Sequence, residues 1–173
     1  MSTDQPVVGF STTNLFISRL IRWVTDAPVS HAWFEYTDHD MGGRWVLEAG
    51  PAGVVRVPFE HAAQGWMNVN RFILPHHDLM LGIRAAAQHC GDKYGFLQAG
   101  GVGIRALLRR LGYRIRNPFA NRNKEICSEL VAMGLMAMGL PGTETWDHES
   151  LDPMELMTFC IMRESDLFQR IYL

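Results

Sequence analysis

A thiol, an imidazole and a carboxylate can together cut an amide bond, and this chain carries one of each where local structure would fix it. Cys127 opens the segment Cys127-Ser-Glu-Leu-Val-Ala-Met-Gly-Leu-Met-Ala-Met-Gly-Leu140, which is apolar almost all the way round. A helix apolar on every side lies in the middle of a domain. The stretch before it, Asn117 to Glu125, is polar and loop-like, so the sulfur is expected where loop becomes helix. There the unpaired backbone N–H groups and the positive end of the helix dipole favour thiolate over thiol.

A thiolate that attacks carbonyls needs an imidazole to share its proton, and the imidazole needs an acceptor to hold its tautomer. Seven histidines compete for the role. His39 sits in a turn tip, and His61, His76, His77, His89 and His148 fall in loops or on polar helix faces. His31 stands at the head of an apolar strand, directly after Pro28-Val-Ser30. With Asp38 to Met41 as a hairpin loop, Thr37 pairs with Gly42, and His31 then lies opposite Glu48 on the same face of the sheet. Directly opposed side chains bring their Cβ atoms within about 5 Å, although a slip of one residue would send the two to opposite faces. Cys127, His31 and Glu48 are thus the candidate nucleophile, base and orienting group, against the simpler readings of an inert buried cysteine and a surface carboxylate.

These residues need a sheet and a buried helix to hold them. Residues 15–24 have Ile17, Leu20, Ile21 and Val24 at helical spacing, with Thr12, Thr13 or Asn14 as candidate caps. Strands are expected over His31–Thr37, Arg44–Glu48, Val54–Val57 and Asn70–Leu74, separated by Asp38-His-Asp-Met-Gly-Gly43 and Ala49-Gly-Pro-Ala-Gly53 turns. Helices follow over His77–Cys90, Gly100–Leu111 and the Cys127 segment, which Gly139-Leu-Pro-Gly142 stops. Ser150 and Pro153 signal a last helix, and Phe168–Leu173 returns as a strand. No repeat or linker divides the chain, so residues 1–173 read as one α+β domain.

The composition is that of an ordinary globular protein, 173 residues with 47% hydrophobic and 20% charged. A net charge of −2 argues against nucleic acid as a partner. Three widely spaced cysteines, Cys90, Cys127 and Cys160, make no disulfide framework and fit a reducing cytoplasm. Cys90 and Cys160 are expected in the core. The start of the chain lacks the pattern of a secretory signal, and no stretch has the length and apolarity of a membrane span. Other motifs are weaker. Gly100-Gly-Val-Gly103 lacks the Lys-Ser/Thr of a phosphate loop. His76-His77 and Asp38-His-Asp40 lack zinc-ligand spacing, so no metal or organic cofactor is expected. Arg105 to Arg116 reads as a solvated basic face with an apolar underside, capable of a weak contact with an anionic surface. Ser128 and Glu129 suit the first turn of a helix.

Taken in order, Ser30-His31 with its strand, Val46-Leu-Glu-Ala49, Lys93-Tyr-Gly-Phe96, Cys127-Ser-Glu-Leu-Val131 and Pro153-Met-Glu-Leu156 resemble the circularly permuted NlpC-type, papain-like cysteine peptidases and amidases of the YiiX-like group. The likeness runs from about residue 8 to 160, and leaves Gly100–Arg116 unmatched. It implies a permuted papain-like fold in which an antiparallel sheet packs on the helix that starts at Cys127. It further implies Cys127 as nucleophile, His31 as base, Glu48 as third polar residue, and Tyr94 near the substrate, although Tyr94 reads equally as core packing. The expected reaction is hydrolysis of an amide (peptide, muropeptide of peptidoglycan, isopeptide or acyl-amide) through an acyl-thiol intermediate. Two alternatives stand beside it. One is a lipid acyltransferase or esterase like lecithin retinol acyltransferase, which would co-sediment with anionic liposomes; the other is a non-catalytic module on the same fold.

Overall fold

The computed structural model describes residues 5–95, 108 and 124–172. The expected helix over Gly100–Leu111 and the basic stretch Arg105–Arg116 fall outside these residues, Leu108 excepted. The chain runs β1 (Val7–Thr12), α1 (Phe16–Thr25), β2 (His31–Thr37), β3 (Arg44–Gly50), β4 (Gly53–Pro58), α2 (Phe59–Ala62), β5 (Met67–Ile73), α3 (Leu79–Ala87) and β6 (Lys93–Tyr94). After the stretch outside the description come β7 (Lys124–Glu125), α4 (Cys127–Ala137), a 3-10 turn at His148–Ser150, α5 (Pro153–Met162) and β8 (Gln169–Ile171). Six strands form one antiparallel sheet in the order β4-β3-β2-β1-β5-β8, and β6 and β7 form a parallel pair. The architecture is α+β. Among the described residues, no helix is long and apolar enough to cross a membrane.

β2 is rich in aromatics without strict alternation because both its faces are covered. Ala32 and Phe34 join Phe10, Leu47 and Phe72 against Leu130, Leu135 and Leu156 of α4 and α5 in the main core. On the opposite face Val7, Trp33, Val46 and Ile73 pack with Phe59 and Trp66, and the Trp33 and Trp66 rings stack 4.4 Å apart. The same face holds a buried carboxylate, Glu35, which accepts hydrogen bonds from Arg44 and Arg71.

Sequence patterning did not anticipate β1, one of the two central strands and buried along its whole length, nor the short β6 and β7, the second of which ends a stretch expected to be loop. Gly9 of β1 makes room for a neighbour, since a Cβ there would lie 2.3 Å from ring carbons of Trp33. Helix boundaries also moved where capping chemistry decided them. α3 begins at Leu79 rather than His77, because the Asp78 side chain accepts the Met80 N–H. α5 is capped by Asp152, whose carboxylate takes the Glu155 N–H while Glu155 returns the favour to the Asp152 N–H. Ser150 therefore belongs to the preceding turn and is not the cap. α1 has no side-chain cap; Thr13 instead hydrogen-bonds Ser18 at 2.8 Å. Cys160 is buried as expected, whereas Cys90 is exposed just beyond α3.

α4 reaches the sheet because two glycines let it cross α3 backbone to backbone. A Cβ on Gly134 would lie 2.6 Å from Cζ of Phe34 and 2.9 Å from the Gly82 carbonyl oxygen. Neither the aromatic core nor the backbone of α3 can retreat cheaply. Gly134→Ala is therefore expected to destabilise by about 1–3 kcal/mol, lowering Tm by roughly 3–10 °C, although alanine is the better helix former by about 1 kcal/mol. A thermal melt with unchanged or higher Tm would show that the helices do not meet this closely.

Candidate active site

β2 starts at His31, and that start is fixed from several sides. Ser11 of β1 pairs with His31, and the Ser30 N–H donates to the Ser11 carbonyl at 2.9 Å. The Thr12 and Ser30 hydroxyls bond each other at 2.8 Å in the interior, and the Pro28 carbonyl accepts from Asn68 Nδ2 at 3.2 Å. A strand end held this way cannot fray, so the imidazole it carries has a defined origin.

His31 Nε2 lies 2.7 Å from Glu48 Oε2, with the two side chains about one fifth exposed, at 21% and 19%. The register that brings them together differs from the one expected. The turn after β2 is longer by two residues, so that Thr37 pairs with Arg44 and Phe34 with Leu47. Asp38 holds this wider loop: its Oδ1 accepts the N–H groups of Asp40 and Met41, and its own N–H donates to the Gly43 carbonyl at 3.0 Å. Gly42 and Gly43 complete it at φ 74° and 82°, where other residues are strained. Continued along the strands, this register sets Glu48 across from Trp33, one diagonal step from His31. A shift of two preserves parity, so His31 and Glu48 keep a common face, and a diagonal neighbour is within reach of long side chains.

Cys127 is the first residue of α4, and only 6% exposed. Its thiol hydrogen-bonds His31. Because Nε2 is engaged by Glu48, Nδ1 is the ring nitrogen left for the sulfur. Burial by itself would push the thiol up. The His31 hydrogen bond and charge outweigh it, with the backbone N–H groups of Ala32 and Ser128 adding to the effect, and the thiol falls below its ordinary value. Burial likewise opposes charge on the imidazole, but the hydrogen bonds to Cys127 and Glu48 and their negative charges raise His31 from 6.5 to about 10. Both shifts favour one state, a thiolate beside an imidazolium.

Tyr94 closes the other side. β6 pairs with β7 so that Tyr94 stands across from Glu125, two residues before Cys127. Burial first, and then the Cys127 charge, hold its phenol strongly protonated. Behind the nucleophile, the Ser128 hydroxyl donates to the Leu151 carbonyl at 2.7 Å, tying the start of α4 to the entry of α5. All four residues singled out in the sequence, Cys127, His31, Glu48 and Tyr94, therefore converge on one place.

One group the sequence reading did not assemble lies beside it. Glu129, His148 and Glu149 bring ligand atoms within 4.8 Å of one another, with His148 Nε2 3.8 Å from Glu129 Oε1. In sequence Glu129 reads as a helix-start acid and His148 as a surface residue; only the fold of the 3-10 turn against α4 joins them.

No family model and no curated protein matches this chain. Among solved structures it is similar to the metalloprotein YiiX from Escherichia coli O157:H7, with 16% identity, 79% of this chain and 67% of that chain covered, and a TM-score of 0.47.

Proposed function

We propose that the protein is a permuted papain-like cysteine hydrolase that cleaves an amide bond through an acyl-thiol intermediate. The observation that carries this reading is His31 beside the buried Cys127 thiol at the start of α4, with Glu48 Oε2 2.7 Å from its Nε2. In the proposed cycle the Cys127 thiolate attacks the carbonyl carbon, and the carbonyl π electrons move to oxygen. Backbone N–H groups at the uncapped start of α4 are suited to hold that oxyanion. As the C–N bond breaks, His31 passes its Nδ1 proton to the departing amine. Neutral His31 then takes a proton from water, whose oxygen attacks the thioester. Collapse of that second intermediate releases the carboxylic acid and restores thiolate and imidazolium. Glu48, accepting from Nε2–H throughout, keeps Nδ1 as the working nitrogen. In this reading Tyr94 contacts the acyl group or the oxyanion. Peptides, muropeptides and acyl-amides are the substrates this chemistry admits.

The test is the rate of iodoacetamide labelling of Cys127 against pH, followed by peptide mass spectrometry. Exposed Cys90 serves as an internal reference in the same sample. Cys127 is expected to label well below the pH at which an ordinary thiol of pKa ~8.5 reacts. His31→Ala should abolish that low-pH reactivity, and Glu48→Gln should weaken it about 10- to 100-fold, the worth of one hydrogen bond to a charged group. Labelling of Cys127 that follows an ordinary thiol in all three proteins would rule out the activated pair and favour a binding module.

A further inference from the structure

α1 faces the wrong way for an ordinary surface helix. Among the described side chains, those of α1 buried against the body are polar, Ser18 and Thr25, each only 9% exposed, with Ser18 bonded to Thr13 and the Thr25 hydroxyl donating to the carbonyl of half-buried Ile21. The side turned outward carries Phe16 at 79%, Trp23 at 70% and Leu20 at 43% exposure, continued by Leu15 at 67%. Residues 16, 20 and 23 share one helical face, so this is a stripe and not a scatter of single side chains. Among the described side chains, the aromatic side of α1 lacks the packing that normally stabilises a helix.

We propose that α1 is a membrane-docking element whose Phe16/Leu20/Trp23 face seats in the interface of an anionic bilayer. Charge selects this occupant. α1 contains Arg19 and Arg22 and no acidic residue. Arg19 is exposed at the border of the apolar stripe, and the buried Nε of Arg22 has no hydrogen-bond partner among the described residues. Aromatic and leucine side chains on one side with arginines beside them are the pattern of a helix that lies in the headgroup layer. A second copy of this chain fits less well. The stripe is centred on Arg19 and Leu20, so a two-fold contact along it would set Arg19 against its own copy. A helix of three turns, roughly 15 Å long, also falls short of the ~800 Å² per partner that a stable dimer buries. The chain as a whole is at net charge −2, which makes a local basic helix necessary for approach to an anionic surface. α1 lies between Thr12 and Ser30, whose hydroxyls bond each other beside His31, so docking would hold the bilayer next to the mouth of the candidate site.

The proposal does not depend on cysteine chemistry, and its test uses full-length Cys127→Ala. The protein is sedimented with vesicles of phosphatidylcholine and phosphatidylserine in equal parts, and with vesicles of phosphatidylcholine alone. Binding to the anionic vesicles is expected, weakened by salt, with little to the neutral ones. Phe16→Ser/Trp23→Ser should reduce partition at least about tenfold while its circular dichroism and melt stay unchanged. Arg19→Glu should reduce binding to anionic vesicles only, and it supplies the answer should the double variant not fold. No binding to anionic vesicles, or binding indifferent to these substitutions, would overturn the proposal. So would a dimer in light scattering that the double variant converts to monomer, which would assign the face to a second copy.

Discussion

Cys127→Ser is expected to remove the burst of p-nitrophenol released when the protein meets p-nitrophenyl acetate, together with the acetyl adduct on the Cys127 peptide. Loss of a nucleophile that acts as a unit with its base lowers turnover by about 10⁴- to 10⁶-fold. Serine fills almost the same space, so the protein should keep its fold. What it loses is the proposed nucleophile, a thiol that burial pushes up but that His31 and two backbone N–H groups bring below its ordinary value. The pH profile of the native burst follows from the same geometry. His31, raised from 6.5 to about 10, contributes stability that is complete below about 6.5 and is lost as pH rises through about 10. Cys127, lowered from 9.0, contributes stability present above 9.0 and lost as pH falls through its depressed value. The two are one interaction seen from both ends and are not added. The paired state therefore spans a window bounded on the acid side by the thiol and on the alkaline side by the imidazolium. A burst that rises with pH as an ordinary thiol does, or that survives in Cys127→Ser, would show that Cys127 is not the nucleophile.

How much of this arrangement was legible in the chain depended on the reach of each signal. Cys127 was visible because its helix is apolar on nearly every side, and α4 is indeed buried except at Met133, Met136 and Ala137. His31 was visible because a histidine at the head of an aromatic strand has no solvated alternative. The pairing with Glu48 kept its common face for a reason of parity alone. The turn expected over Asp38–Gly43 has the bounds of the observed one, whereas the four-residue loop Asp38–Met41 assumed for the pairing left out Gly42 and Gly43, which sit in the loop at φ 74° and 82°. β1 escaped because Val7-Val-Gly-Phe-Ser-Thr12 is covered on both sides and so has no alternation to read. Cys90 was placed in the core on residue type, but it lies past the end of α3 where Gly91 turns the chain at φ 96°. The outward face of α1 was hidden as well, since periodicity reports that a helix has an apolar side and not where that side points.

Glu35→Ala is expected to be the most destabilising single change on the far side of the sheet, by about 3–5 kcal/mol. Glu35 is 2% exposed and stands between Arg44 of β3 and Arg71 of β5. Arg71 Nε donates to one carboxylate oxygen at 3.1 Å and its Nη2 to the other at 2.5 Å, while Arg44 Nε donates at 2.9 Å. Arg71 reaches across β1 to do this, from the position on β5 that pairs with Gly9. Removing the carboxylate leaves Arg71, 11% exposed, as a cation in the interior with its acceptor gone. Arg44 fares better because its guanidinium rests 3.7 Å over the Phe59 ring and is 28% exposed, so most of the cost falls on Arg71. That asymmetry is testable: Glu35→Ala combined with Arg71→Met, which removes the stranded charge, should recover a large part of the loss in a urea melt, whereas pairing it with Arg44→Met should recover little. A domain of this size has about 5–15 kcal/mol in total, so the single variant should melt roughly 6–20 °C lower. A melt unchanged by Glu35→Ala would mean that water reaches Arg71, and that the three strands are held by their ladders and by the apolar packing around Trp33 and Trp66. His31 heads the same strand four residues earlier and on the same face. The labelling rate of Cys127 in Glu35→Ala, read below its melt, would then report whether this ion cluster also fixes the strand end that carries the imidazole.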